Sequence, residues 1–200
     1  MIFQRGHFRS DRIQKGFVNE SLAQSRKFDS STAFSAKPTV FLSHKHDDLE
    51  DLNELTGFME VLETLGAKIY IDSLDNTMPD QTCGDTARRI KEIIKYCNKF
   101  ILLATEKAIA SHWCNWELGI GDTHKYIKHI ALLPIKEVGE YDSQYKGNEY
   151  LEIYPRIDYR DGTTHYRNNG GLIPKGYYVC EPKNSEGITY ITPLKQWLND

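Results

Sequence analysis

The residues best suited to chemistry stand together in Ser111-His112-Trp113-Cys114-Asn115-Trp116-Glu117-Leu118. Ser111 is a good helix N-cap, because its hydroxyl accepts a bond from a free amide of the first turn. Trp113 and Glu117 are four apart and share a helix face. A carboxylate beside indole rings is partly desolvated, which raises its pKa. Taken alone, W-x-x-x-E on a helix is ordinarily a half-buried Trp beside a solvated Glu. What changes that reading is where the segment falls among its neighbours.

Other candidates are weaker. Cys114 sits near a helix start, which lowers a thiol pKa, but no partnered histidine is evident, and a half-buried cysteine is the reading. His44 and His46 alternate in a loop, and His124 and His129 flank a helix end. Neither pair has a third ligand at suitable spacing, so no metal site is expected. No G-x-x-x-x-G-K-[ST] phosphate loop occurs, and Gly119-Ile120-Gly121 falls inside a helix rather than after a strand. A conventional dinucleotide fold with a glycine fingerprint is therefore not expected.

The elements that position Glu117 alternate. Thr39 to Ser43 is a short apolar strand, followed by the polar turn His44 to Asp48. Leu52, Leu55, Phe58, Met59, Leu62 and Leu65 trace an amphipathic helix closed by Gly66. Ala67 to Ile71 is the second strand, and a polar loop runs from Asp72 to Asp85. Ala87, Ile90, Ile94 and Cys97 mark the second helix, and Phe100 to Ala104 the third strand. The Ser111 helix runs to about Tyr126, and Ile130 to Ile135 is the fourth strand. This alternation predicts a flavodoxin-like parallel sheet with helices on both faces. Ligands bind such sheets beyond the carboxyl ends of the strands. Ser43 to Asp48, Asp72 to Asp85 and Thr105 to Trp113 lie at that edge, and Glu117 faces the same crevice.

Residues 1–37 are polar and read as an N-terminal extension or linker, with a short helix possible over Ser21 to Phe28 and an arm onto a neighbouring subunit as the alternative. Residues 38–200 form one domain, with a motif core over 38–135 and an α+β elaboration over 136–200. In the latter, Tyr150 to Tyr159 and Tyr177 to Cys180 are candidate strands, and a last helix starts near Thr192 or Pro193. Apolar content of 40% and charged content of 26% are ordinary for a globular chain, and a net charge of −3 argues against nucleic acid. No apolar run approaches a membrane span, and no secretion signal is evident. Cys83, Cys97, Cys114 and Cys180 lack C-x-x-C spacing and read as reduced thiols of a cytoplasmic protein.

Three segments carry a family resemblance. Val40-Phe41-Leu42-Ser43-His44 resembles the first-strand motif of Toll/interleukin-1 receptor (TIR) domains. Ile69-Tyr70-Ile71-Asp72 resembles their second strand and the start of their BB loop. Ser111-x-Trp113-Cys114-x-x-Glu117-Leu118 resembles their W-C-x-x-E-L helix. The order and spacing match over residues 38–135, although the BB segment is long and acidic here, with Asp72, Asp75, Asp80 and Asp85. TIR domains either act as self-associating adaptors or cleave NAD⁺ at the nicotinamide–ribose bond through the glutamate of that helix. Glu117 holds that position, so the resemblance implies an NAD⁺ nucleosidase or ADP-ribosyl cyclase. It further implies a Thoeris-like role in anti-phage defence, with a cyclic ADP-ribose isomer read by a separate effector protein. A non-catalytic scaffold acting by homotypic association is the alternative. NAD⁺ is then substrate, and no cofactor is expected. Ser43, His44, Lys45, Asp72 and Trp113 are the expected NAD⁺-binding residues, with Lys45 toward the pyrophosphate and Trp113 walling the pocket.

The chemistry suits one carboxylate. Loss of nicotinamide passes through an oxocarbenium-like state, which a carboxylate in a water-poor site stabilises. The leaving group is already cationic, so it needs no general acid.

Overall fold

The computed structural model describes residues 3–8, 37–46, 51–75, 83–139, 145, 147–168 and 170–200. Its strands are β1 (Phe3–Gln4), β2 (Thr39–Ser43), β3 (Lys68–Tyr70), β4 (Lys99–Ala104), β5 (Ile130–Lys136), β6 (Arg156–Arg160), β7 (Gly176–Cys180) and β8 (Ile191–Pro193). Its helices are α1 (Asp51–Thr64), α2 (Gly84–Tyr96), α3 (Glu106–Ile109), α4 (His112–His124) and α5 (Leu194–Asn199). The sheet order is β3-β2-β4-β5-β6-β7-β8, with β1 paired to β5. From β3 through β6 every pairing is parallel, whereas β6–β7 and β7–β8 are antiparallel. Counted from β2, the order 2-1-3-4 is the flavodoxin-like one expected, and its switch point lies between β2 and β4.

Alternate side chains of the central strands go to opposite faces, as the two-residue period requires. Val40, Leu42, Ile101, Leu103, Ala131 and Leu133 join one core with Leu55, Phe58, Met59 and Leu62 of α1 and Trp197 and Leu198 of α5. Phe41, Phe100, Leu102 and Leu132 join the other with Ile90, Ile93 and Ile94 of α2 and Cys114 and Leu118 of α4. Both faces of the sheet are thus covered, which is why its strands read as continuous apolar runs. After α1, Gly66 at φ 91° takes the left-handed conformation. Gly66 N donates to Glu63 O and Ala67 N to Leu62 O, and these bonds close the helix.

Several expectations need correction. Residues 3–8 are no linker: Phe3 and Phe8 are buried, β1 runs parallel to β5, and the Gly6 and Phe8 amides both donate to the carboxylate of Glu54 on α1. The segment completes the core of this chain. The Ser21 to Phe28 helix lies outside the described residues. The Tyr150 to Tyr159 strand divides at Pro155 into a 3-10 turn (Glu149–Ile153) and β6; the Pro155 carbonyl accepts from Leu132 N instead. The Asp72 to Asp85 loop begins with a 3-10 turn (Asp72–Leu74), and α2 already starts at Gly84. α4 ends at His124, short of Tyr126. The last helix begins after Pro193, as read. Among the described residues no helix is long and apolar enough to cross a membrane.

Candidate active site

Ser43 is the last residue of β2 and has the parity of Phe41, so it faces the layer that holds α4. α4 buries Cys114, Glu117, Leu118 and Gly121, an i, i+3, i+4, i+7 stripe. At Gly121 a Cβ would stand 3.2 Å from the Phe100 ring, so the helix lies close on β4. Glu117 therefore stands at the centre of the inward stripe, where an apolar side chain ordinarily packs.

The carboxylate is only 1% exposed. Its Oε2 accepts a bond from Ser43 Oγ at 2.5 Å. Its Oε1 is buried and makes no hydrogen bond. Burial pushes the Glu117 pKa well above the ordinary carboxylate range and the nearby charge of Asp72 adds to this, while the Ser43 hydroxyl and the Trp113 indole act against it. A desolvated carboxylate with one unoccupied oxygen suits a cationic ligand or a proton to be accepted.

The cap read from the sequence is present: Ser111 Oγ accepts from Cys114 N at 3.4 Å. Trp113 is half-buried and tilts against Trp116, with ring centroids 5.0 Å apart. Cys114 is no nucleophile. Its thiol is buried, donates to the His44 carbonyl at 3.4 Å, and is pushed up to about 11 chiefly by burial. It ties α4 to the loop after β2.

That loop meets the segment after β3. Asp72 is buried, its Oδ2 lies 2.7 Å from His46 Nε2, and its Oδ1 accepts from Ser73 N at 2.9 Å. His44 is also buried, its Nε2 is 3.1 Å from Ser73 Oγ, and its ring lies 5.2 Å from that of His46. Burial holds the His44 imidazole down at about 4, against the pull of Asp72. Ser43, His44, Asp72, Trp113 and Glu117 thus gather at the carboxyl edge of β2 and β3. Lys45 lies in the same loop, half-buried.

Spacing in the sequence does not reveal the third group beside His44 and His46. Asp72, 26 residues beyond His46, supplies it: His44, His46 and Asp72 each offer a ligand atom, and these lie within 4.8 Å of one another. Unforeseen too is the anchor below the loop, where Tyr70 Oη donates to Asp75 Oδ2 at 2.9 Å and Arg89 Nε reaches it at 3.3 Å. The burial of Glu117 fits the desolvation read from Trp113 beside it, and its place in the stripe of Cys114, Leu118 and Gly121 explains how complete that burial is.

Comparison with known proteins finds a relative of stated activity. The chain is 27% identical over 153 residues to the "Probable 3' cyclic ADP-D-ribose synthase ThsB'" of Bacillus cereus (strain MSX-D12). The resemblance read from three motifs is borne out. The match covers 76% of this chain and 72% of that protein, more than the motif core of residues 38–135 can supply. No family model matches the chain.

Proposed function

We propose that the protein cleaves the nicotinamide–ribose bond of NAD⁺ and releases a cyclic ADP-ribose isomer as a signal in anti-phage defence. The observation that carries this is Glu117: a carboxylate buried at the sheet's ligand-binding edge, tethered by Ser43 on one oxygen and unpaired on the other. The name of the Bacillus cereus relative, a probable 3' cyclic ADP-D-ribose synthase, supports the same reaction class.

Binding of the cationic nicotinamide riboside end compensates the desolvated Glu117 charge. As the C1″–N bond breaks, nicotinamide leaves neutral with the bonding pair, and positive charge moves onto the ribose. Glu117 stabilises that charge in a water-poor site, where electrostatic effects are largest. For cyclisation, a nucleophile of the same ADP-ribose reaches C1″ before water. When that nucleophile is a ribose hydroxyl, its proton must leave, and a carboxylate of raised pKa is a suitable acceptor. The balance is NAD⁺ to cyclic product, nicotinamide and H⁺. Ser43 orients the carboxylate, and Trp113 and the Asp72 segment shield the site.

The competing scaffold reading makes Glu117 a surface carboxylate, and its burial disfavours that. Self-association and a separate effector that reads the product remain part of this proposal. The test is incubation with NAD⁺, with free nicotinamide quantified and the other product identified by mass spectrometry. Nicotinamide together with a product of cyclic ADP-ribose mass supports the reading. Equimolar ADP-ribose restricts it to hydrolysis, and intact NAD⁺ at micromolar enzyme overturns it.

A further inference from the structure

We propose that His44, His46 and Asp72 form a binding site for a divalent first-row transition ion of the zinc class, clamping the loop after β2 to the segment after β3. Two imidazoles and one carboxylate, with candidate ligand atoms within 4.8 Å of one another, are a set that Zn²⁺ favours. Mg²⁺ and Ca²⁺ favour sets made of oxygen.

The partners of the His44 ring are already those of a metal ligand. A ligating histidine ordinarily bonds through its second ring nitrogen to a neighbouring acceptor, which fixes the ring. In His44 that role falls to Nε2, 3.1 Å from Ser73 Oγ. The other nitrogen, Nδ1, is buried with no hydrogen-bond partner. The ring is 4% exposed, and a buried polar atom of this kind calls for a partner. Asp72 keeps Oδ1 on the Ser73 amide, leaving Oδ2 for the ion. His46 Nε2 and Asp72 Oδ2, now 2.7 Å apart, separate by a small ring shift to admit it. The side chain of His46 is 44% exposed, which gives the ion a route in from solvent. Three protein ligands leave at least one coordination position open to water or a ligand oxygen.

The consequence is mechanical. His44 and His46 belong to the loop after β2, and Asp72 begins the loop that leads to α2. One ion joins the loop after β2 to the segment after β3, next to Ser43 and its bond to Glu117. This inference stands whether or not the chain cleaves NAD⁺.

The test uses the full untagged chain, stripped with a chelator that is then removed, and titrated with Co²⁺ alone. One Co²⁺ per chain should give ligand-field absorption that one equivalent of Zn²⁺ removes. His46→Ala, a change at the exposed ligand, should weaken Co²⁺ binding at least tenfold, the usual scale for disturbing a ligand shell. Asp72→Asn should do the same, with circular dichroism reporting its fold. If Asp72→Asn does not fold, His46→Ala decides alone. Binding that His46→Ala leaves unchanged would place the ion on another histidine and overturn the proposal, as would the absence of stoichiometric Co²⁺ binding by the wild type.

Discussion

Ser43 Oγ donates to Glu117 Oε2 across 2.5 Å, joining the last residue of β2 to the second turn of α4. These residues are 74 apart in sequence, and the strand parity of one and the helix stripe of the other bring them together. A hydrogen bond to a charged group is worth about 1.5–3 kcal/mol. Ser43→Ala should therefore slow nicotinamide release by roughly tenfold or more. Glu117→Gln keeps the shape and an acceptor for Ser43 but loses the charge, and should cost on the order of a hundredfold or greater. Initial rates with NAD⁺, on variants shown to fold by circular dichroism, check both. A Glu117→Gln variant near wild-type rate would remove Glu117 from the mechanism.

The N-terminal arm belongs to the fold. Glu54, 2% exposed, accepts the amides of Gly6 and Phe8. At Gly57, one turn on, a Cβ would stand 1.9 Å from the Phe8 carbonyl oxygen. Glu54→Ala leaves two amides unsatisfied and should cost about 2–4 kcal/mol. Gly57→Ala should expel the arm, uncovering Phe58, which lies 5.4 Å from the Phe8 ring. Urea unfolding measures the first. The second is checked by hydrogen exchange at residues 3–8, which should become unprotected in Gly57→Ala.

If the crevice becomes competent through contact with another copy, as the family resemblance implies, rate per molecule should climb with concentration. Initial rates over a hundredfold range of enzyme, beside light scattering, give the answer. A constant specific activity in a monomeric protein would show that one chain holds a complete site.

The sheet was legible because its strands are buried on both faces and its helices keep a 3.6-residue stripe. Phe41 and Leu42 announce β2, and Leu55, Phe58, Met59 and Leu62 announce α1. Glu117 was legible through Trp113, Cys114 and Leu118 around it. What local pattern does not encode is contact across the sheet. Asp72 and His46 meet only because β2 and β3 are parallel neighbours ending at one edge. The arm was missed because its two-residue strand and two aromatics are too short to show a period. The split at Pro155 was missed for a related reason: the tyrosines on either side suit a strand and a packed turn equally.

Lys99 offers a test of burial at the opposite end of the sheet. It opens β4 and is 1% exposed. Its Nζ lies 2.6 Å from His129 Nδ1 and 4.7 Å from the centre of the Trp197 ring. Burial lowers its pKa from 10.5 to about 8; Lys128 and Lys125 push the same way, and Asp200 resists. The folded value lies below the unfolded one, so the unfolded chain binds more protons between them. Stability from this group is fully present above about 10.5 and is lost as pH falls through about 8. At pH 7 the charged, buried ammonium is a net cost on the order of 1–3 kcal/mol. Lys99→Met fills similar volume without the charge. It should be the more stable protein at pH 7, by about 1 kcal/mol or more, and the wild type should close the gap as pH rises toward 10. Urea unfolding of both proteins at several pH values reads the difference, which cancels the alkaline titration of tyrosines and cysteines common to the two. A gap independent of pH from 7 to 10 would mean that Lys99 keeps its ordinary charge in the fold, held by His129 and Trp197.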